Sequence, residues 1–66
     1  SEAYTSIERI AFGRGHWRLR NAALEVASLL APTERETLWR RAEQDGDPSI
    51  RRSAVNWLSQ ESGGAR

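Results

Sequence analysis

The sequence predicts an all-α fold: two stacked antiparallel helix pairs, four helices in all, forming a short α-solenoid. Three observations carry that expectation. Apolar residues recur at helical spacing along the whole chain. Breaker clusters at "GRG" (13–15), "AP" (31–32) and "DGDP" (45–48) cut it into four pieces of helical length. The second half also repeats the first, without a gap, at an offset of 31 residues. Nowhere do apolar and polar residues alternate with the period of two that a half-buried strand requires.

The first helix is expected over about 3–13, with Ile7, Ile10 and Ala11 on one side. Thr5 and Glu8 match a capping box, and Ser1 is an equally good start. The second helix is expected over about 17–31. Its Leu19, Ala23, Val26, Ala27 and Leu30 fall at i, i+4, i+7, i+8 and i+11, the strongest amphipathic pattern in the chain, and read as one buried stripe. The third, about 34–44, opens on Thr33 and Glu36 as a second capping box and contributes Leu38, Trp39 and Ala42. The fourth, about 48–60, has Asp47 as N-cap and Pro48 at the first helical position, where a missing N–H is harmless. Ile50, Ala54, Trp57 and Leu58 form its buried stripe. Residues 1–62 read as one domain, with repeat one over about 3–31 and repeat two over about 33–61; residues 62–66 read as a flexible tail.

Composition narrows the function classes. A chain of 66 residues buries only ~60% of the surface it exposes when unfolded. It has no cysteine and a single histidine, His16, so neither a disulfide nor a zinc site is expected, and no cofactor motif is present. The net charge of +1 does not imply nucleic-acid binding. All ten cations are arginine, a bias that genomic base composition explains before function does. No apolar run approaches the ~18 residues of a membrane span, and no signal peptide is visible, so the expectation is a soluble cytoplasmic domain.

The repeat aligns "IERIAFGRGHWRLRNAALEVAS" with "LWRRAEQDGDPSIRRSAVNWLS". Six positions are identical: Arg9/Arg40, Ala11/Ala42, Gly15/Gly46, Arg20/Arg51, Ala23/Ala54 and Ser28/Ser59. Three more are conservative: Ile7/Leu38, Leu19/Ile50 and Leu24/Val55. About two identities would arise by chance at ordinary residue frequencies. A fixed period near 30 built of two helices marks a solenoid. The duplication also predicts that Leu19 and Ile50 share an environment and that Arg20 and Arg51 point in equivalent directions.

"DGDPSIRRSAVNWL" (45–58) resembles the second half of a HEAT repeat, in particular the short kind also found in bilin lyase–like proteins. In that family an Asp turn leads through Pro into a Val/Ile–Arg pair, followed by Ala and Leu on the packing face. Asp45, Asp47, Pro48, Ile50, Arg51, Ala54 and Leu58 hold those places here. The first copy keeps Gly15, Leu19, Arg20 and Ala23, but has Arg14 and His16 where the aspartates belong and Trp17 in place of the proline. The resemblance covers roughly residues 5–60. It implies that Arg20 and Arg51 are structural ladder residues, with Arg20 reaching Asp45 or Asp47 across the stack, where a guanidinium fork matches a carboxylate.

Candidate contacts follow from the same arrangement. The concave face of a solenoid is its usual docking groove, and Arg18, Asn21, Glu25, Ser49, Arg52 and Asn56 are expected to line it. Tryptophan is enriched at binding hot spots, which adds Trp17 and Trp39 as partner-binding residues, while Trp57 reads as core. His16 lacks the positioned second group that acid–base catalysis needs and reads as a turn residue. Gly13, Arg14 and Gly15 fall short of a phosphate loop. The expected function is therefore a non-enzymatic protein–protein interaction or scaffold module, its partner a protein or neighbouring repeats of a larger parent. Two repeats leave apolar surface uncovered, on the last pair with Trp57 included, so homo-oligomerisation is a further expectation. The rival is nucleic-acid binding through an arginine-lined face, with Arg14, Arg18 and Arg52 as contacts.

Overall fold

Ser1 starts the first helix. In the computed structural model, which describes residues 1–63, its hydroxyl oxygen accepts the Tyr4 amide at 3.2 Å. Helix α1 then runs Glu2–Ala11. Thr5 lies inside it and donates its hydroxyl to the Ser1 carbonyl, so Ser1 is the start that the chain uses. Just beyond, a Cβ on Gly13 would sit 2.7 Å from the Arg9 carbonyl oxygen; the chain turns too tightly there for any side chain.

Helix α2 (Trp17–Val26) is capped by His16, whose Nδ1 accepts the Arg18 amide at 3.1 Å. A 3-10 turn, Ala27–Leu29, tightens its end. Leu30 and Ala31 are extended, as the residue before a proline must be. Helix α3 (Pro32–Ala42) starts two residues ahead of the sequence expectation. Pro32, with its fixed φ and absent N–H, suits the first helical position. Thr33 is thereby drawn inside, and the Thr33–Glu36 capping box does not form. Instead the Thr33 carbonyl accepts the Thr37 hydroxyl at 2.8 Å and Glu36 pairs with Arg40 at 3.2 Å. Helix α4 (Pro48–Gly63) is capped by Asp47, whose Oδ1 accepts the Ser49 amide at 2.7 Å. Serine 62 and Gly63, assigned to a flexible tail, are helical; 64–66 lie outside the described residues.

No strand occurs among the described residues. Helix α1 packs on α2 and α3 on α4; α2 also meets α4, and α1 touches α3 more lightly. Eleven buried residues make the core: Ile7, Ala11, Ala23, Leu24, Ala27, Leu30, Leu38, Trp39, Ala42, Ile50 and Ala54. Five are alanine, which lets helix backbones approach closely. Tyr4, Phe12, Trp57 and Leu58 close over the cluster.

The stripe expected on α2 is only partly buried. Ala23, Ala27 and Leu30 are enclosed together with Leu24, but Leu19 and Val26 are 55% and 49% exposed. Ile10 on α1 also faces solvent. The reason is which side of α2 turns toward the second pair. That side carries Arg20, which reaches Asp45, and Leu24, whose carbonyl accepts the Trp39 indole. Five residues at 100° each put Leu24 about 140° around the helix from Leu19. On α4 the roles are reversed, with Ile50 enclosed and Val55 51% exposed. Leu19 and Ile50 thus do not share an environment, and the simplest expectation from the duplication fails there. The larger uncovered apolar surface also belongs to the first pair rather than the last.

Trp39 contributes both volume and a polar anchor to this core. Its ring stacks on Trp57 with centroids 5.7 Å apart, and its Nε1 donates to the Leu24 carbonyl oxygen at 2.9 Å. Trp39→Phe removes the buried donor as well as ring volume. It should lower stability by roughly 1–3 kcal/mol, read as a lower urea midpoint with an unchanged denaturant slope.

Candidate functional site

Three groups of side chains compete for a functional role: the ladder at the α3–α4 turn, the polar positions of α2 and α4, and the uncovered apolar residues.

Asp45 is the hub of the first group. Its Oδ1 receives the Arg20 guanidinium, and its Oδ2 accepts the Asp47 amide at 2.9 Å. Arg20 also donates Nε to the Ala11 carbonyl at 2.7 Å, so one side chain joins the end of α1, the middle of α2 and the turn between α3 and α4. Asp47 caps α4 and does not meet Arg20. Arg51 donates Nη1 to the carbonyls of Asp45 and Gly46, at 2.9 and 3.1 Å. Both arginines therefore reach back to main-chain carbonyls ahead of their own helix, but only Arg20 crosses between the pairs. The expectation of equivalent directions holds only in that shared reach: Arg20 divides between a carbonyl and the Asp45 carboxylate, whereas both contacts of Arg51 are carbonyls of its own turn. Partial burial pushes the Asp45 carboxyl up; the Asp47 amide, the Arg20 hydrogen bond and the charges of Arg20 and Arg51 outweigh it and hold the group below the usual carboxylate range.

The polar positions divide. Arg18, Glu25, Arg52 and Asn56 are exposed, whereas Asn21 and Ser49 are half-buried. Asn21 Oδ1 is enclosed with no protein donor. Among the described residues Arg9, Arg14, Arg18 and Arg52 meet no carboxylate, while Arg20, Arg35, Arg40 and Arg41 do. Arg18 lies over the Trp17 ring, 5.5 Å from its centroid. Trp17 is exposed, but Trp39, taken for a contact residue, is core. The physical reason is its aligned place on α3 beside Leu38, on the side facing the first pair.

Sequence reasoning missed the third group. Leu19, Ala22, Val26 and Leu29 are all exposed, Leu29 to 85%. Leu19, Ala22 and Val26 follow one another at i, i+3 and i+7, a second stripe on α2 beside the buried one, and Leu29 continues it into the 3-10 turn. The spacing was visible; which of two overlapping stripes faces the core was not. Long-range ion pairs were also unmarked by spacing. Arg41 bonds Glu8 at 3.0 Å and lies over the Phe12 ring at 4.0 Å, while Arg35 pairs with Glu61 and donates to the Leu30 carbonyl at 3.0 Å.

Shallow clefts lie among the described residues. One is lined by Tyr4, Thr33, Glu34 and Thr37, another by Ser28, Trp39, Trp57, Gln60 and Glu61. In neither does a lining hydroxyl hydrogen-bond a lining carboxylate: Thr37 donates to the Thr33 carbonyl, Glu34 meets Ser1 and Glu61 meets Arg35. Among the described residues no three metal-ligating side chains converge, and no helix is long and apolar enough to cross a membrane.

The Asp45 geometry generates a pH dependence. A carboxyl whose folded pKa is lowered contributes stability above its unfolded value of 3.8, lost as pH falls through the folded value. Asp45→Asn should destabilise the fold at neutral pH and reduce the steepness of its acid unfolding below about pH 4, measured by thermal melts across pH.

Comparison with family models, curated proteins and solved structures yields no match.

Proposed function

We propose that this chain is a non-enzymatic protein-interaction module, built as two HEAT-like helix pairs in a short stack. The single observation that carries the reading is the apolar edge formed by α2 and the 3-10 turn after it, where Leu19, Val26 and Leu29 face solvent. Large apolar side chains clustered on a small surface mark contact sites.

The stack is supported by the way the two copies differ. A unit in a translational stack has one face toward the preceding unit and one toward the next. The first copy encloses Leu24 and exposes Leu19; the second encloses Ile50, the counterpart of Leu19, and exposes Val55, the counterpart of Leu24. That reciprocal pattern is what two units with two open ends would give. On this reading Arg20, Arg51, Asp45 and Asp47 form the structural ladder. Arg18, Asn21, Glu25, Arg52 and Asn56 line the polar face, and Trp17 borders the apolar edge.

A photo-reactive phenylalanine at Leu29, irradiated in an extract of the producing cells, should label a defined polypeptide that the same probe at Gln44 does not. Equal labelling from both positions would remove the reading.

One observation favours a second function, nucleic-acid binding: Arg14, Arg18 and Arg52 are exposed and meet no carboxylate among the described residues. Phosphate contacts would give binding that falls steeply with salt, and neutralising each arginine would flatten the slope by about one unit. Binding absent at low salt, or indifferent to those substitutions, eliminates it.

A further inference from the structure

We infer that the apolar edge of α2 is closed by a second copy of this chain, the two α2 helices packing antiparallel across a two-fold axis. The inference rests on the reading of that edge as a contact surface and names its occupant.

The edge has the spacing of a helix–helix seam. Within α2, Leu19, Ala22 and Val26 succeed one another by three and four residues, the alternation that keeps apolar side chains facing a partner helix, and Leu29 follows in the 3-10 turn beyond. All four are exposed. Ala22, between the two larger residues, leaves room for the partner's Leu19 and lets the helices approach closely.

Charge on the flank of the stripe selects the second copy. Arg18 and Glu25 lie on the solvent side of this seam, seven residues apart, and neither has an ion-pair partner among the described residues. Seven residues span about 10 Å of helix, so they cannot bond each other. In an antiparallel two-fold pair, the partner's Glu25 comes beside Arg18, and the symmetry repeats the contact. A parallel pair would put the two charged flanks on opposite sides of the seam, so that Arg18 and Glu25 of one copy would meet neither charge of the other.

The same edge is poorly matched to another unit of the internal kind. Between the two pairs of this chain, Arg20 finds Asp45. The residue aligned with Asp45 in the first copy is Arg14, and His16 stands in the place of Asp47. A preceding unit's ladder arginine would therefore meet a cation. The internal contact also relies on Trp39, whose aligned residue is Glu8, already paired with Arg41.

Such an interface is small, under about 1,200 Å² in total, so dissociation in the micromolar range is expected. Sedimentation of the purified chain from low micromolar to millimolar concentration should show monomer–dimer equilibrium. Arg18→Glu and Glu25→Arg should each weaken dimerisation by about tenfold at low salt, because each places two like-charge pairs in the interface. The double variant should recover the wild-type constant to within about threefold, a rescue that non-specific stickiness cannot produce. Leu19→Ser should weaken it as well, because Leu19 lies beside the partner's Ala22 in this register, with circular dichroism and melting confirming an unchanged fold. A monomer at every concentration, growth beyond dimers, or singles and double that behave alike would overturn the pairing. If the chain is monomeric while the Leu29 probe still labels another polypeptide, the edge remains a contact surface with a different occupant. If neither occurs, both readings fall.

Discussion

The contact between Arg20 and Asp45 holds the two helix pairs in register. Helix packing in this chain depends largely on small side chains, which fill space without dictating how one helix is placed along another. The guanidinium supplies that placement. It is anchored on one side by the Ala11 carbonyl and on the other by a carboxylate that also receives the Asp47 amide. Asp45 in turn is fixed by the turn whose carbonyls occupy Arg51. The pair is largely enclosed, with side-chain exposures of 14% and 13%, and breaking one partner leaves the other without compensation. Its contribution is to specificity of arrangement more than to the depth of the energy minimum.

Around this anchor the apolar core is assembled from modest parts. Leu24, Leu38 and Ile50 are the largest wholly enclosed side chains, and Trp39 bridges the pairs. A helix seam made of Ala11, Ala23, Ala27, Ala42 and Ala54 tolerates little added volume, since extra methylenes in a tight interior force backbone shifts. Ion pairs at the rim, Glu8 with Arg41 and Arg35 with Glu61, tie elements far apart in sequence. Being partly exposed, each contributes little alone.

Much of the element order could be read from the sequence, because breakers and caps act locally. His16, Asp47 and Pro48 mark their boundaries by chemistry confined to a few residues. Thr33 misled because Pro32, its immediate neighbour, was the better helix start. What was harder to read was rotation about the helix axis. Leu19 and Leu24 both belong to plausible apolar stripes on α2, and only the position of α4 decides between them. Trp39 illustrates the same difficulty, since its sequence context fits a surface contact as well as a core. The 31-residue offset singled out Arg20 and Arg51, yet alignment alone cannot distinguish a side chain that crosses between helix pairs from one that folds back on its own turn.

The molecule measures 37 × 28 × 15 Å, and its shortest dimension is little more than the thickness of one helix with its side chains. The core is correspondingly thin, and the outward-facing positions of α2 share their helix with enclosed ones such as Ala23 and Leu24. Evolution of the surface in so thin a slab cannot proceed independently of folding: a substitution that reshapes the outer face of α2 acts at once on the inner one. Changes there would be expected to bring compensating changes among the buried alanines, so surface and interior should drift as one unit.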